Sequence, residues 1–240
     1  MIIEVCATNL PSIENAARAG ADRIELCSEL SVGGITPSFG MMQAAVKKNR
    51  LPIHSLIRPR SGHFYFSNSE IDITKRDIIA AKEAGCSGVV IGALTADFKL
   101  PHQLLEELIS LALPMEVTFH RAFDVVLSPE ESLKELIDLG FSRVLTSGQQ
   151  EDAVSGLPLL EKLLGVSKGK ITIMPGGGIR PENCELFKNA GFEALHFSAF
   201  KEMRPIDIPL GINGEFSFLK QPLGESNPDI IHSIVGKVKS

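Results

Sequence analysis

The sequence lacks most of the patterns that assign a protein to a functional class at sight. Only 4 of its 240 residues are cysteine and no two of them have C-x-x-C spacing, which excludes a zinc knuckle and a thioredoxin-type motif. The net charge is -5 and the basic residues do not cluster, so the electrostatic footprint of a nucleic-acid-binding protein is missing. The apolar runs are far shorter than the ~20 residues that a membrane helix needs. We therefore expect neither a nucleic-acid partner nor a membrane span.

Two more absences concern location and cofactor. The N-terminal residues 1–4 have neither the basic start nor the cleavage site of a secretory signal, so we expect a soluble, cytoplasmic protein. A disulfide framework is not expected in that compartment, and we predict structural roles for Cys86 and Cys184. The glycine pattern G-x-G-x-x-G, which marks a dinucleotide-binding turn after the first strand, is also missing. No organic cofactor is implied.

A weak internal repeat shows how the chain is organised. Its unit is a helix end, a glycine, a short polar link and an apolar strand, and it recurs at Gly20, Gly85, Gly140 and Gly191. Strands are predicted to begin near Ile2, Arg23, Ile53, Val89, Met115, Val144, Ile171 and Ala194. Helices are predicted at Pro11–Ala19, Pro37–Lys48, Ser69–Ala84, Pro101–Ala112, Pro129–Leu139, Leu157–Leu164, Pro181–Ala190 and Pro228–Lys239.

Eight alternating strand and helix signals predict an α/β fold, a (β/α)8 TIM-type barrel. We expect a single domain over residues 1–240, with an irregular loop at Lys201–Asn227 after the last strand. A doubly wound open sheet is the alternative, although its usual glycine fingerprint is absent.

Polar residues occupy every second position on one face of three predicted strands. They are Glu4 and Cys6 in the first strand, Glu25 and Cys27 in the second, and Glu116 and His120 in the fifth. Strands of a βαβ barrel are normally apolar on both faces. Buried charges persist only when they are paired, hydrogen-bonded or bound to a ligand, so this pattern indicates a site inside the fold.

Further polar residues are expected at the same end of the barrel, because barrel sites form at the C-terminal ends of the strands. The candidates for ligand binding are Arg58, Arg60, Arg121, Asp124, Thr146, Ser147 and Ser198, and the candidate metal ligands or general bases include His54, His120 and His196. A structural interpretation stays open, in which Glu25 with Arg58, or Glu4 with Arg58, forms a buried ion pair that only holds the barrel together.

Two motifs point to specific ligands. The run Gly176-Gly177-Gly178 precedes a predicted helix, so its backbone N–H groups could hold an anion, although a tight turn with positive φ would also need glycine. Cys6 and Cys27 each follow a glutamate by two residues on adjacent strands, so their thiols could form a Cu(I) site. The alternative is that both cysteines are small buried hydrophobic residues.

The chain resembles the copper homeostasis protein CutC family. The motifs that carry the resemblance are Ile3–Cys6, Gly20–Cys27, Gly33–Ser38, Ile57–Arg60, Gly92–Thr95, Thr118–Asp124, Arg143–Gly148 and Met174–Ile179. The resemblance implies a cytoplasmic barrel, commonly a homodimer, that binds copper through Cys6 and Cys27. The chain departs from the family where Phe200 replaces an arginine after the last strand, which removes a cation near the glycine run.

Three hypotheses for the function are consistent with these residues. The first is a cytoplasmic copper-binding protein of copper homeostasis, with Cys6 and Cys27 as Cu(I) ligands. The second is an enzyme acting on a small anionic metabolite, phosphorylated or not, with Glu25 or His120 as general base and Arg58 and Arg121 holding negative charge. The third is a structural or partner-binding barrel without a ligand.

Overall fold

The computed structural model describes residues 1–48, 51–203, 207–212, 215–216, 219 and 223–239. Eight strands form the sheet: β1 Ile2–Ala7, β2 Arg23–Leu26, β3 Ile53–Leu56, β4 Gly88–Ile91, β5 Glu116–Phe119, β6 Arg143–Thr146, β7 Thr172–Pro175 and β8 Ala194–Phe197. The helices are α1 Leu10–Arg18, α2 Phe39–Lys48, α3 Asn68–Glu83, α4 His102–Ala112, α5 Pro129–Leu139, α6 Leu157–Ser167, α7 Cys184–Asn189 and α8 Pro228–Lys239.

The strands are arranged as a TIM-type barrel, which confirms the fold prediction. Their order is β7-β6-β5-β4-β3-β2-β1-β8, and every neighbouring pair is parallel. The ring closes between β7 and β8 through a parallel bridge that joins Gly176 and His196. Most predicted boundaries lie within a few residues of the observed ones, but α7 is shorter than the predicted Pro181–Ala190.

The segment after β8 differs from the prediction of an irregular loop over Lys201–Asn227. Its two ends pair as an antiparallel hairpin, β9 Phe200–Glu202 with β10 Gly224–Ser226. Ser12 at the start of α1 holds this hairpin, since its hydroxyl accepts a 3.0 Å hydrogen bond from the Ser226 backbone N–H. The prediction of an irregular loop is therefore wrong at both ends of this segment. Strands of only three residues are too short for an alternation of polar and apolar residues to show in the sequence. Residues 204–206, 213–214, 217–218 and 220–222 lie outside the described residues.

The main apolar core lies between the outer face of the barrel and the helices. Ile3, Val5, Ile24 and other outward residues of the strands are fully buried there, together with apolar residues from the inner faces of the helices. This leaves the inner face of the strands free to carry polar groups. Within the described residues, no helix combines the length and the apolar character that crossing a membrane requires.

Glycines on the inner face make room for the polar side chains. A Cβ atom at Gly88 of β4 would lie 2.5 Å from the His54 ring, and one at Gly92 would lie 2.4 Å from the His120 ring. Contacts this short do not occur between real Cβ atoms and their neighbours. Both imidazoles therefore occupy space that any larger residue on β4 would fill.

Candidate active site and metal site at the barrel mouth

The mouth of the barrel places two thiols beside a carboxylate and an imidazole. Cys6 Sγ lies 3.2 Å from Cys27 Sγ, and both cysteines are free and buried. Ligand atoms of Cys6, Glu25 and His196 all lie within 4.8 Å of one another. The group thus offers soft sulfur ligands together with an oxygen and a nitrogen ligand.

A chain of charged groups continues from the thiols into the barrel interior. His196 Nε2 lies 3.5 Å from Glu25, and its Nδ1 lies 2.8 Å from Glu4 Oε1. The other oxygen of Glu4 accepts a 2.5 Å hydrogen bond from Arg23 Nε. Glu4 is fully buried, and these two partners offset its desolvation. A buried ion pair of the kind left open by the sequence is therefore present, but Arg23 rather than Arg58 supplies its cation.

Burial and neighbouring charge shift the pKa of each member of this chain. Burial by itself would raise the pKa of Glu4, but the His196 hydrogen bond and the Arg23 charge hold that pKa well below its usual value. Burial raises the pKa of Glu25; His196 opposes this shift and the charge of Glu4 adds to it. Burial would lower the pKa of His196, but Glu25 and Glu4 reverse the direction and raise it. The pKa values of Glu25 and His196 are therefore both raised, whereas that of Glu4 is lowered.

A second group of polar atoms surrounds His120 and Arg58. His120 Nδ1 accepts a 3.1 Å hydrogen bond from the Ala122 backbone N–H, while its Nε2 is buried and has no hydrogen-bond partner in the described part of the chain. The terminal nitrogens of Arg58 donate to three loop carbonyls at 2.8–2.9 Å. The Arg58 Nε is buried and, among the described residues, also has no partner.

Both groups face one small cavity of about 80 Å³ just inside the mouth. Its wall includes Cys6, Glu25, Arg58, His120, Arg121 and His196. Phe64, from the loop between β3 and α3, also lines it, with its ring centre 4.9 Å from that of His120 and 5.0 Å from Arg58 Cζ. The structure thus brings five of the predicted site residues together with His196 in one place.

Asp124, Thr146 and Ser147 support Arg121 at the edge of this cavity. Asp124 accepts hydrogen bonds from Arg121 Nε at 2.6 Å, from Thr146 Oγ1 at 2.5 Å and from the Ser147 backbone N–H at 2.9 Å. Arg121 also donates to Ser147 Oγ at 2.8 Å. Since protein groups satisfy the carboxylate of Asp124, these residues act here by positioning the guanidinium of Arg121.

Arg60, Glu116 and Ser198 are among the predicted site residues that lie away from the cavity wall. Arg60 binds a carboxylate of α3 and three carbonyls of its own loop. Glu116 pairs with Arg143 at the first residue of β5, and more than half of its side chain is exposed there. Ser198 Oγ accepts a 3.3 Å hydrogen bond from the Phe200 backbone N–H.

The run Gly176–Gly178 lies beside the cavity and forms a turn. Gly177 and Gly178 have φ values of 106° and 72°, which favour glycine, so the turn accounts for these two residues. A Cβ atom at Gly177 would lie 3.6 Å from Arg121 Nη1, so the loop packs against this cation. The following helix begins only at Cys184 and has 6 residues, which gives no support to an anion site at its N-terminus.

The sequence did not identify Arg23, Arg143 and Phe64 as part of this arrangement. For Arg23 a signal exists, because it precedes Glu25 by two residues and so shares the inner face of β2. Arg143 likewise starts a strand, β6, four residues before the predicted site residue Ser147. Phe64 lies in a loop, and nothing in the sequence shows that the loop folds over the mouth.

The comparisons with known proteins give the family. The family model described as CutC family matches residues 1–201. A copper homeostasis protein cutC homolog from Homo sapiens is 46% identical over 199 residues, which are 82% of this chain and 73% of the relative. This chain belongs to the CutC family.

Two more relatives agree with this assignment. A family protein CutC from Pasteurella multocida (strain Pm70) is 46% identical over 214 residues, covering 89% of this chain and 87% of the relative. The crystal structure of a CutC protein from Streptococcus agalactiae superposes with a TM-score of 0.79 at 30% identity, over 82% of this chain and 98% of the other. The CutC resemblance and the barrel predicted from the sequence are thus confirmed. The roles of the individual site residues stay predictions.

Proposed function

We propose that this CutC protein is a cytoplasmic copper-binding protein of copper homeostasis and that Cys6 and Cys27 bind Cu(I). The observation that carries the proposal is the distance of 3.2 Å between the two buried thiols. Soft thiolate ligands select Cu(I), and Glu25 and His196 place further ligand atoms within 4.8 Å of the Cys6 thiol. The names of the curated relatives, which refer to copper homeostasis, support the same ion.

The protonation of Cys6 decides how the ion binds. The hydrogen bond with Cys27 raises the pKa of the Cys6 thiol well above its usual value, and burial adds to this. The metal ligand is the thiolate, so Cu(I) must displace a proton when it binds. The residues fit a site that takes up Cu(I) in exchange for a proton.

Cu(I) titration of the reduced protein under anaerobic conditions, in competition with a Cu(I) chelator, tests the proposal. We expect one tight site per chain in the wild type and a loss of at least a hundredfold in affinity in the Cys6→Ala/Cys27→Ala variant. The matched control is Cys86→Ala/Cys184→Ala, which removes the other two buried thiols and should bind as the wild type does. Equal binding by both double variants would reject the copper site.

A second candidate function is an enzyme that acts on a small anionic metabolite, and the cavity favours it. Glu25, whose pKa is raised by burial, would serve as general base, and Arg58 and Arg121 would attract the negative charge. His120 fits the role of donor better than that of base, because its acceptor nitrogen already binds the Ala122 N–H.

A thermal-shift screen of small metabolites tests this second function. We expect at least one anionic compound to raise the melting temperature of the wild type but not of Arg58→Ala, and Glu25→Gln to abolish turnover of that compound while preserving its binding. A screen without an anionic hit, or with hits that ignore Arg58, argues against it. The homodimer, implied by the family resemblance, stays a prediction.

A further inference from the structure

Two side chains of the cavity wall each have a buried N–H donor without a partner among the described residues. His120 is only 4% exposed and Arg58 only 6%. Neither His120 Nε2 nor Arg58 Nε has a hydrogen-bond partner among the described residues, although every other nitrogen of these two side chains is engaged. Leaving a buried donor unpaired is costly, so donors kept in this state point to a ligand that supplies the acceptors.

The hydrogen bond to Nδ1 fixes which proton His120 offers. Because Nδ1 accepts from the Ala122 N–H, a neutral ring carries its proton on Nε2. Burial, with the nearby Arg58 charge, lowers the pKa of His120 to about 3, so the ring is neutral at physiological pH. His120 therefore has one N–H donor without a partner among the described residues, as has Arg58, and both residues line the cavity.

Packing holds both donors in place before any ligand arrives. The centre of the Phe64 ring lies 4.9 Å from that of His120 and 5.0 Å from Arg58 Cζ, so the ring packs against both side chains. Gly92 lies behind the His120 ring, where an added Cβ atom would be only 2.4 Å away. The ring can therefore turn little, and a ligand does not have to order it on binding.

The size and charge of the cavity narrow the ligand class. A volume of about 80 Å³ has room for roughly three water-sized groups at about 30 Å³ each, so only a compact group fits inside the wall. Arg58 and Arg121 in the wall attract an anion, whereas Glu25 in the same wall repels a second negative charge. A compact monoanion with oxygen acceptors satisfies these conditions.

We infer that this cavity binds a small carboxylate whose oxygens accept hydrogen bonds from His120 Nε2 and Arg58 Nε. The inference rests on the second candidate function, for which it names the ligand class, and it does not depend on copper. It assigns His120 and Arg58 to binding and leaves Glu25 as the group that could react with the bound molecule.

Nuclear magnetic resonance of protein labelled with 15N-histidine tests the inference. Long-range 15N–1H spectra distinguish the two neutral tautomers, and His120→Phe assigns the His120 signals. We expect the Nε2-protonated form, and a saturable shift of this signal with sodium formate, acetate or glycolate but not with sodium chloride at the same ionic strength. His102, whose imidazole is exposed beside Glu135, is the internal control and should not shift saturably.

Each outcome of this experiment decides the question. A proton on Nδ1 would show that Nε2 is not a donor, and the absence of a saturable shift with all three carboxylates would show that water satisfies the donors; either result would overturn the inference. If His120→Phe does not fold, the backbone amide of Ala122, which bonds to Nδ1, reports the same titration in the wild type. A further variant, Arg58→Lys, keeps the charge but removes Nε, and should weaken binding at least tenfold.

The failure of the inference can be told apart from the failure of either function. Carboxylate binding without turnover of any carboxylate would support the site and reject the enzyme. The Cys6→Ala/Cys27→Ala variant should bind the carboxylate as the wild type does. Loss of binding in this variant would mean that the thiols, and not His120 and Arg58, create the site, and would overturn the inference.

Discussion

Glu4 and Glu116 are both paired with an arginine, but at different depths of the barrel. The side chain of Glu4 is 0% exposed and that of Glu116 is 54% exposed, while Arg23 and Arg143 are both nearly buried. The alternation of polar residues in the sequence was enough to place both glutamates on the inner face. It could not show the depth or the partner of either one, because both depend on the register between neighbouring strands.

This difference in depth gives a matched pair of variants. Glu4→Gln leaves the Arg23 charge buried without compensation, so we expect it to lower the free energy of unfolding by about 3–5 kcal/mol. Glu116→Gln removes a carboxylate that water can partly replace, and should cost less than about 1 kcal/mol. Urea denaturation followed by circular dichroism measures both. Equal costs would mean that Glu4 is not the buried member of an ion pair.

The raised pKa of the Cys6 thiol predicts how the affinity for copper depends on pH. Its pKa is raised above the usual value in the free protein, so the thiol is protonated at every pH between 6 and 9. Binding then releases at least one proton, and the Cu(I) affinity should rise at least tenfold for each pH unit in this range. Chelator competition at several pH values measures the slope. An affinity that does not change with pH would exclude a protonated thiol as ligand.

At the scale of elements, β4 illustrates what the sequence predicts and what it leaves open. The glycine and valine run at residues 85–92 predicted a strand there, and the strand is observed at Gly88–Ile91. The reason for glycine at residues 88 and 92 appears only in the barrel, where the rings of His54 and His120 occupy the space of a side chain. The β9–β10 hairpin could not be predicted, because its strands pair residues that are more than 20 positions apart in the sequence. The sequence between them has no periodic pattern of apolar residues.

The close packing of Gly92 against His120 can be tested by comparison with a glycine in a helix. Gly92→Ala would place a Cβ atom 2.4 Å from the buried His120 ring, and we expect it to destabilise the fold by about 1–3 kcal/mol. Gly165→Ala, in the exposed part of α6, meets nothing within 4 Å and should stabilise the fold by about 0.5–1 kcal/mol. Thermal and urea unfolding of both variants give the sign. A neutral Gly92→Ala would show that His120 can move aside.

For the whole molecule, closure of the barrel is what turns scattered residues into a site. Cys6, Arg58, His120 and His196 come from β1, β8 and the ends of β3 and β5, and they meet because parallel strands end at the same face. This convergence follows from the fold and could be predicted. The donors that remain unpaired could not, because they depend on which loop carbonyls Arg58 reaches and on how Phe64 packs.

The buried histidines make the stability of the whole barrel depend on pH. Burial lowers the pKa of His54 to about 4 and that of His120 to about 3, whereas both titrate near 6.5 when unfolded. Their contribution to stability is therefore present above about pH 6.5 and is lost as the pH falls towards 4 and 3. His196 has the opposite sign, since its pKa is raised and its contribution is lost only as the pH rises through the raised value.

Between about pH 6 and 5 these two histidines together bind nearly two protons more in the unfolded chain than in the folded one, so they should contribute up to about 2.7 kcal/mol per pH unit to the fall in the free energy of unfolding. His120→Phe removes one of these two protons and should reduce the slope by about 1.4 kcal/mol per pH unit, whatever its effect on the stability at pH 7. His102→Gln is the control, because this exposed imidazole should leave the slope unchanged. Urea denaturation at several pH values measures all three slopes. Equal slopes in the wild type and His120→Phe would mean that His120 takes up its proton in the folded barrel, and the cavity would then contain an imidazolium rather than a neutral N–H donor.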